Sequence, residues 1–231
     1  MKKLFLILLV GMIAVSCGPS VNPTYQKMIN DMYVKKGNKN IADGGKFVSV
    51  MPYQVGQWVL MSNTSGDKKS ISKTSIVGKE GNAWIIETYS LTDTEEGIMQ
   101  ICISGLDKMM KSGNMDDIEL EWVKMKKDKE IQTIDGIALS FAKSFYKKGL
   151  TNLAVKVDGM ASAGSVTVPA GTFGGVFKST AEVEIFGSTY KSIGYYHKDV
   201  PINGTVKCVA EDNSYTTELL DFGLSGAKAS F

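Results

Sequence analysis

The sequence predicts a mostly β (α+β) chain built on one antiparallel sheet, with a helix laid across it. Three observations predict this. From Phe47 onward, short runs rich in β-branched and aromatic residues recur, separated by Gly-Asp, Glu-Gly-Asn and Pro-Ala-Gly turns. One run alternates cleanly: Phe177, Ser179, Ala181, Val183 and Ile185 face one way, and Lys178, Thr180, Glu182 and Glu184 the other. That is an antiparallel strand with one face on a core and one in water. The period then changes once, over Ile134–Lys148, where Ile137, Phe141 and Phe145 fall four apart beside Ile134 and Ala138.

Taken in order, the chain opens on Lys2 and Lys3, an apolar run from Leu4 to Val15 and a small-residue end. This is the pattern of a secretory signal peptide, too short to span a bilayer, which takes roughly 20 apolar residues. Ala14-Val15-Ser16-Cys17 resembles the bacterial lipobox, in which cleavage before the Cys leaves it acylated at the new N-terminus. Ala14 stands where that motif usually has Leu. The expected organisation is a lipoprotein signal peptide over 1–16, a tether over 17–46 and a single domain over 47–231. Two or more acyl chains anchor a protein stably in a membrane. Gly18 after the Cys favours the outer membrane by the sorting habit of enteric bacteria.

Within the tether, Asn22 suits a helix cap and Pro23 a first turn. Tyr25, Met28, Ile29, Met32 and Tyr33 then share one helical face, expected to pack back on the domain. Gly37 to Gly45 reads as a flexible break. Strands follow at Gln57–Met61, Ser70–Val77, Asn82–Leu91 and Gly97–Ser104. After a helical turn at Gly105–Lys111 comes an alternating run through Ile118, Leu120 and Trp122, and then a basic turn at Lys126–Lys129. Gly149, behind Lys147 and Lys148, ends the Ile134–Lys148 helix as a C-terminal glycine does. Leu153–Val157, Val166–Val168, Phe177–Ile185, Thr189–His197, Thr205–Ala210 and Tyr215–Phe222 complete roughly ten strands.

Composition excludes several function classes. With 231 residues, 43% apolar and 22% charged, the chain is neither disordered, collagen-like nor a polytopic membrane protein. It has no Arg, the residue that grips phosphates and base edges in a fork. Removing residues 1–16 takes away Lys2 and Lys3, leaving as many lysines as acids. Such a chain has no electrostatic reason to seek nucleic acid.

Catalytic and metal chemistry find little to stand on. A lone histidine, His197, between Tyr196 and Lys198, reads as a bystander on a polar strand edge. Glu95-Glu96 and Asp116-Asp117 are adjacent acids in turns, not carboxylates facing each other across a substrate. No zinc, calcium or phosphate-loop spacing is present, so neither cofactor nor metal is expected. Cys102 and Cys208 remain after Cys17. An oxidising periplasm allows a disulfide between them, and two independent buried thiols is the other reading.

What remains is apolar surface. Trp58, Trp84 and Trp122 each lie on a predicted strand, as do Met99 and Ile101, with Ile137, Phe141 and Phe145 on the helix opposite. Twelve methionines favour an adaptable interior.

Pro52-Tyr53-Gln54-Val55-Gly56-Gln57-Trp58-Val59, Ile76–Glu80 and Trp84–Glu87 resemble the opening of bacterial periplasmic half-barrel proteins. So do Val168-Pro169-Ala170-Gly171-Thr172-Phe173 and Val200–Val206 farther along. The group is similar to the lipoprotein-localisation (Lol) carriers and their relatives of unknown function. The resemblance implies a highly curved antiparallel sheet, a half-barrel with a helical lid, and in the Lol carriers a cavity for acyl chains. It implies no ligand residues.

The expectation is therefore a membrane-anchored lipoprotein of the bacterial cell envelope that is not an enzyme. It would bind an apolar ligand or acyl chain between sheet and lid. The alternative is an adaptor that contacts another envelope protein through strand edges.

Overall fold

The structure, a computed structural model, describes residues 20–34, 37, 39–42, 51–112, 116–127, 130–143, 159–185 and 188–231. Cys17, the signal peptide, Phe145 and the expected strand at Leu153–Val157 lie outside them. The first helix is α1 (Pro23–Val34). The strands are β1 (Lys39–Ile41), β2 (Trp58–Ser65), β3 (Lys68–Glu80), β4 (Ala83–Leu91), β5 (Glu96–Ser104), β6 (Glu119–Lys127), β7 (Glu130–Ile134), β8 (Ala161–Val168), β9 (Gly171–Ile185), β10 (Ser188–Tyr196), β11 (Thr205–Ala210) and β12 (Tyr215–Gly223). A short helix, α2 (Leu106–Ser112), follows β5, and residues 136–143 are helical after β7.

The strands make one twelve-stranded sheet in the order β1-β9-β10-β11-β12-β2-β3-β4-β5-β6-β7, with β8 on β9. β7 does not pair with β8 or β1, so the sheet is not closed into a barrel. The pairs are antiparallel except β1 on β9.

Period-two alternation gives the sheet two faces. On the core face, Ile76, Ile86, Ile101 and Val123 stand in register across β3 to β6, and Val59 opposes Phe222 across β2 and β12. These residues belong to one buried cluster that continues through Leu219, Val206, Val176 and Phe173. The back face carries α1. Asn22 Oδ1 accepts the Thr24 amide at 3.0 Å, capping the helix, and Ile29 is 2% exposed against Ile71, Leu91 and Leu220. Tyr25, Met28, Met32 and Tyr33 surround that contact. Burying one side chain like Ile29 contributes about 1.5–3 kcal/mol.

One long-range contact bends the sheet. β9 and β12 are three ladders apart, about 14 Å along a flat sheet. Yet the ring centroids of Phe173 and Phe222 are 6.2 Å apart, and the Ala170 amide donates to Leu219 O at 2.9 Å. The β11–β12 register ends at Lys207 and Glu218, and Leu219 O meets the Val168–Gly171 turn instead. Lys39 of β1 adds an ion pair to Asp221 at 2.7 Å and a hydrogen bond to Phe222 O. The turn's own carbonyls are taken by Gly37 N at 2.6 Å and Lys39 N at 3.1 Å, so a buried turn keeps its backbone paired.

The structure corrects several expectations. Residues 39–41, inside the segment read as a flexible break, form β1 because β9 offers an unpaired edge beyond the end of β10. β8 begins at Ala161, whose Ala-Ser-Ala-Gly-Ser run has too little β propensity to be recognised alone. Ile134 ends β7 opposite Val123 rather than opening a helix, which instead spans 136–143 among the described residues.

Gly171 sits at φ 138°, and a Cβ there would lie 1.8 Å from Lys39 O. Gly171→Ala is therefore expected to destabilise the fold by about 3 kcal/mol, read as a lower midpoint in urea unfolding. A loss below about 0.5 kcal/mol would show that the turn is not held against β1.

Candidate functional site: the apolar face and its rim

The core face is set by alternation on β4 and β5. Trp84, Ile86 and Thr88 point inward from β4, opposite Ile103, Ile101 and Met99 of β5. Trp84 is 7% exposed, its indole N–H donates to Asp107 Oδ1 at 2.9 Å, and Lys79 Nζ lies 4.3 Å from its ring centre. Tyr53 meets the same indole edge-on at 5.8 Å. The Pro52–Gln57 turn that carries Tyr53 is locked by the buried Gln57 side chain. It accepts from Gln54 N at 3.1 Å and donates to Pro52 O at 3.1 Å. α2 covers one end of the face with Leu106 and Met109.

The rim lies at the β5–β7 end. Met99 and Ile134 are half-buried there, and Met125 is 44% exposed. The 136–143 helix turns Leu139 and Ala142 onto the core cluster. Its other side is apolar too and faces water: Ile137 is 90% and Phe141 68% exposed. Half of the eight large exposed apolar side chains among the described residues fall between Met125 and Phe141, so apolar surface is concentrated at this rim.

The expected site residues therefore divide. Trp84, Met99 and Ile101 come together on the core face. Trp58 and Trp122 do not: both stand half-exposed on the back face. Trp58 has Lys73 at 4.9 Å over its ring, and the Trp122 indole donates to Glu80 Oε2 at 3.1 Å. Trp122 is turned there by a bulge. Ile103 pairs with Leu120 and Cys102 with Trp122, so Glu121 is the extra residue that breaks the Ile118–Leu120–Trp122 alternation. Ile137 and Phe141 face solvent rather than the sheet, because Leu139 and Ala142 supply the inward side of the helix.

Cys102 and Cys208 are free and buried. They lie on β5 and β11 with four strands between them, and no disulfide joins them. Burial pushes the Cys102 thiol up to about 11, helped by the negative charges of Glu80 and Glu121. Burial also raises Cys208, against a lowering hydrogen bond from Ser192, and raises the Tyr196 hydroxyl.

His197, expected on a polar strand edge, is buried instead. It is 1% exposed, with its ring edge 5.8 Å from Phe173. The β10–β11 connection that follows it folds inward, burying Val200 and Ile202 completely or nearly so. The apolar Val-Pro-Ile run was the available signal. No group of three or more potential metal ligands occurs among the described residues, and no helix among them is long and apolar enough to cross a membrane.

On the back face, the segment after β12 runs across the sheet. Glu87, 5% exposed, accepts from Ser230 N at 2.8 Å, Ser230 Oγ at 2.7 Å and Gln100 Nε2 at 2.8 Å. These bonds satisfy a carboxylate that would otherwise be costly to bury.

No protein-family model matches the chain, and no curated protein matches it in sequence. Among solved structures it is similar to a protein of Bacteroides fragilis assigned as exported, with a YmcC-like fold. That match has 9% identity and a TM-score of 0.32, covering 76% of this chain and 99% of that one. It is also similar to a protein of Parabacteroides distasonis assigned as a lipoprotein, at 12% identity and a TM-score of 0.32 over 77% and 100% of the two chains. A DUF1329 family protein of Desulfovibrio piger matches at 10% identity and a TM-score of 0.25, over 72% and 82%. Likenesses at this level carry no argument about the present chain. The fold is that of a mostly β protein with one large open sheet.

Both thiols should count as free in denaturant without reductant. In the native protein at pH 8 both should react slowly with iodoacetamide, because the thiolate is scarce and shielded. The Cys102 rate should climb toward pH 11. Fast native labelling of both would show the core to be open.

Proposed function

We propose that this protein is a non-catalytic lipoprotein of the bacterial cell envelope, held at the outer membrane through acylated Cys17. It binds an apolar ligand or acyl chain between the core face and the 136–143 helix. In this reading the coiled sheet is a half-barrel and that helix is its lid. The observation that carries it is the two-sided apolar character of the helix. Leu139 and Ala142 pack on the core, while Ile137 is 90% and Phe141 68% exposed on the other side of the helix, and Met125 is exposed on β6. Keeping apolar surface in water costs about 25 cal/mol per Å², and patches of this kind mark places where an apolar group arrives. Methionines at the rim adapt to chains of different shape.

A second reading has its own support. β7 is an open sheet edge with Ile131 52% exposed, so the same end of the molecule offers an adaptor surface to a protein partner.

Native mass spectrometry after detergent-free purification is expected to find the protein carrying lipid, and Ile137→Asp with Phe141→Asp to lower that occupancy at least tenfold. Lipid-free protein that takes up none, with one dominant partner cross-linked through β7 in cells, would replace this reading with the adaptor. Labelling with radioactive palmitate should mark the wild type, and Cys17→Ser should abolish it.

A further inference from the structure

Two buried side-chain atoms among the described residues have no hydrogen-bond partner, His197 Nε2 and Thr205 Oγ1. They flank the same connection, between β10 and β11. The His197 amide donates to Gly204 O at 2.8 Å, so Thr205 is the next residue along the facing segment. The two residues are 1% and 4% exposed. Unpaired buried polar groups are uncommon, and two at the ends of one connection call for a partner.

The hydrogen bonds define what that partner is. The Asp199 amide donates to His197 Nδ1 at 3.2 Å, so this nitrogen carries the lone pair and the neutral ring holds its proton on Nε2. Nε2–H is thus a donor with nothing to receive it, and the Thr205 hydroxyl can donate as well. Phe173 packs against the His197 ring, and Val200, Ile202 and Val206, close by in sequence, belong with Phe173 to the main core cluster. The charged group at hand is an acid, Asp199 Oδ2 at 3.9 Å from Nδ1, which disfavours an anionic head. The loop also holds Ile202 at φ 69°, a conformation β-branched residues rarely adopt, and strain of this kind collects at ligand clamps.

We infer that His197 and Thr205 form the polar end of the ligand site, donating to an uncharged carbonyl oxygen, the ester or amide head of an acyl chain. This rests on the apolar-ligand reading above and adds its head-group chemistry. It also accounts for a buried histidine in a protein that needs no base.

The test uses the exported full-length protein, stripped of lipid on a hydrophobic resin, and three probes: methyl laurate, N-methyl lauramide and tetradecane. An oxygen-bearing probe should bind about tenfold more tightly than the alkane, the worth of one good hydrogen bond. Thr205→Val, which keeps the shape, should erase that advantage while leaving the unliganded protein at least as stable as before. The chain has a single histidine, so a 15N-histidine label reports on His197 alone. Nε2 should shift on adding the favoured probe while Nδ1 stays put. A preference for the ester points to a glycerolipid source, and one for the amide to an N-acylated protein. Equal affinity for all three probes, or a Thr205→Val protein that binds as before or is less stable when empty, overturns the anchor and leaves the apolar-ligand reading standing. If none of the three binds, tetradecane included, that reading falls and the anchor with it.

Discussion

The hydrogen bond from the Ala170 amide to Leu219 O holds the two ends of the β9–β12 half of the sheet together. A sheet of this width left to its own twist would spread its core face open to water. By docking the Val168–Gly171 turn where the β11–β12 ladder gives out, the chain brings Phe173 onto Phe222 and closes that end of the core. β1 completes the joint: Lys39 reaches from the β9 edge to Asp221 and Phe222. Burial of Ala170, Phe173, Val176, Val200 and Val206, each 0% exposed, follows from that one closure.

The other end of the sheet is left differently. There α2 adds Leu106 and Met109 to the core cluster, and the 136–143 helix packs Leu139 and Ala142 against it. Leu139 and Ala142 take the inward side of that helix, and Ile137 and Phe141 stay outside. The molecule therefore has a sealed end and an apolar rim on one continuous face. That asymmetry is what the proposed function uses: entry at the rim, with the unpaired donors of His197 and Thr205 on the sealed half.

The back face serves stability. α1 covers Ile71, Leu91 and Leu220, and the 224–231 segment satisfies Glu87 through Ser230. These contacts cover part of the back face, and among the described residues β1, β7 and β8 are the outermost strands of the sheet.

What the sequence determined by itself was local. The hairpin strands of β2 to β5 and β9 to β12 follow from period-two alternation and turn residues, and α1 from Asn22, Pro23 and a stripe at helical spacing, because each depends on neighbours a few residues away. Of the residues expected on the inner apolar face, Trp84, Met99 and Ile101 stand there. The tertiary structure decided the rest. A single inserted residue, Glu121, reverses the side on which Trp122 stands; an edge beyond β10 turns a polar Lys-Asn-Ile run into a strand; and a loop folded inward buries His197. Each of these outcomes is set by which distant segment offers an unpaired edge or an unfilled space, and periodicity within one segment carries no record of that.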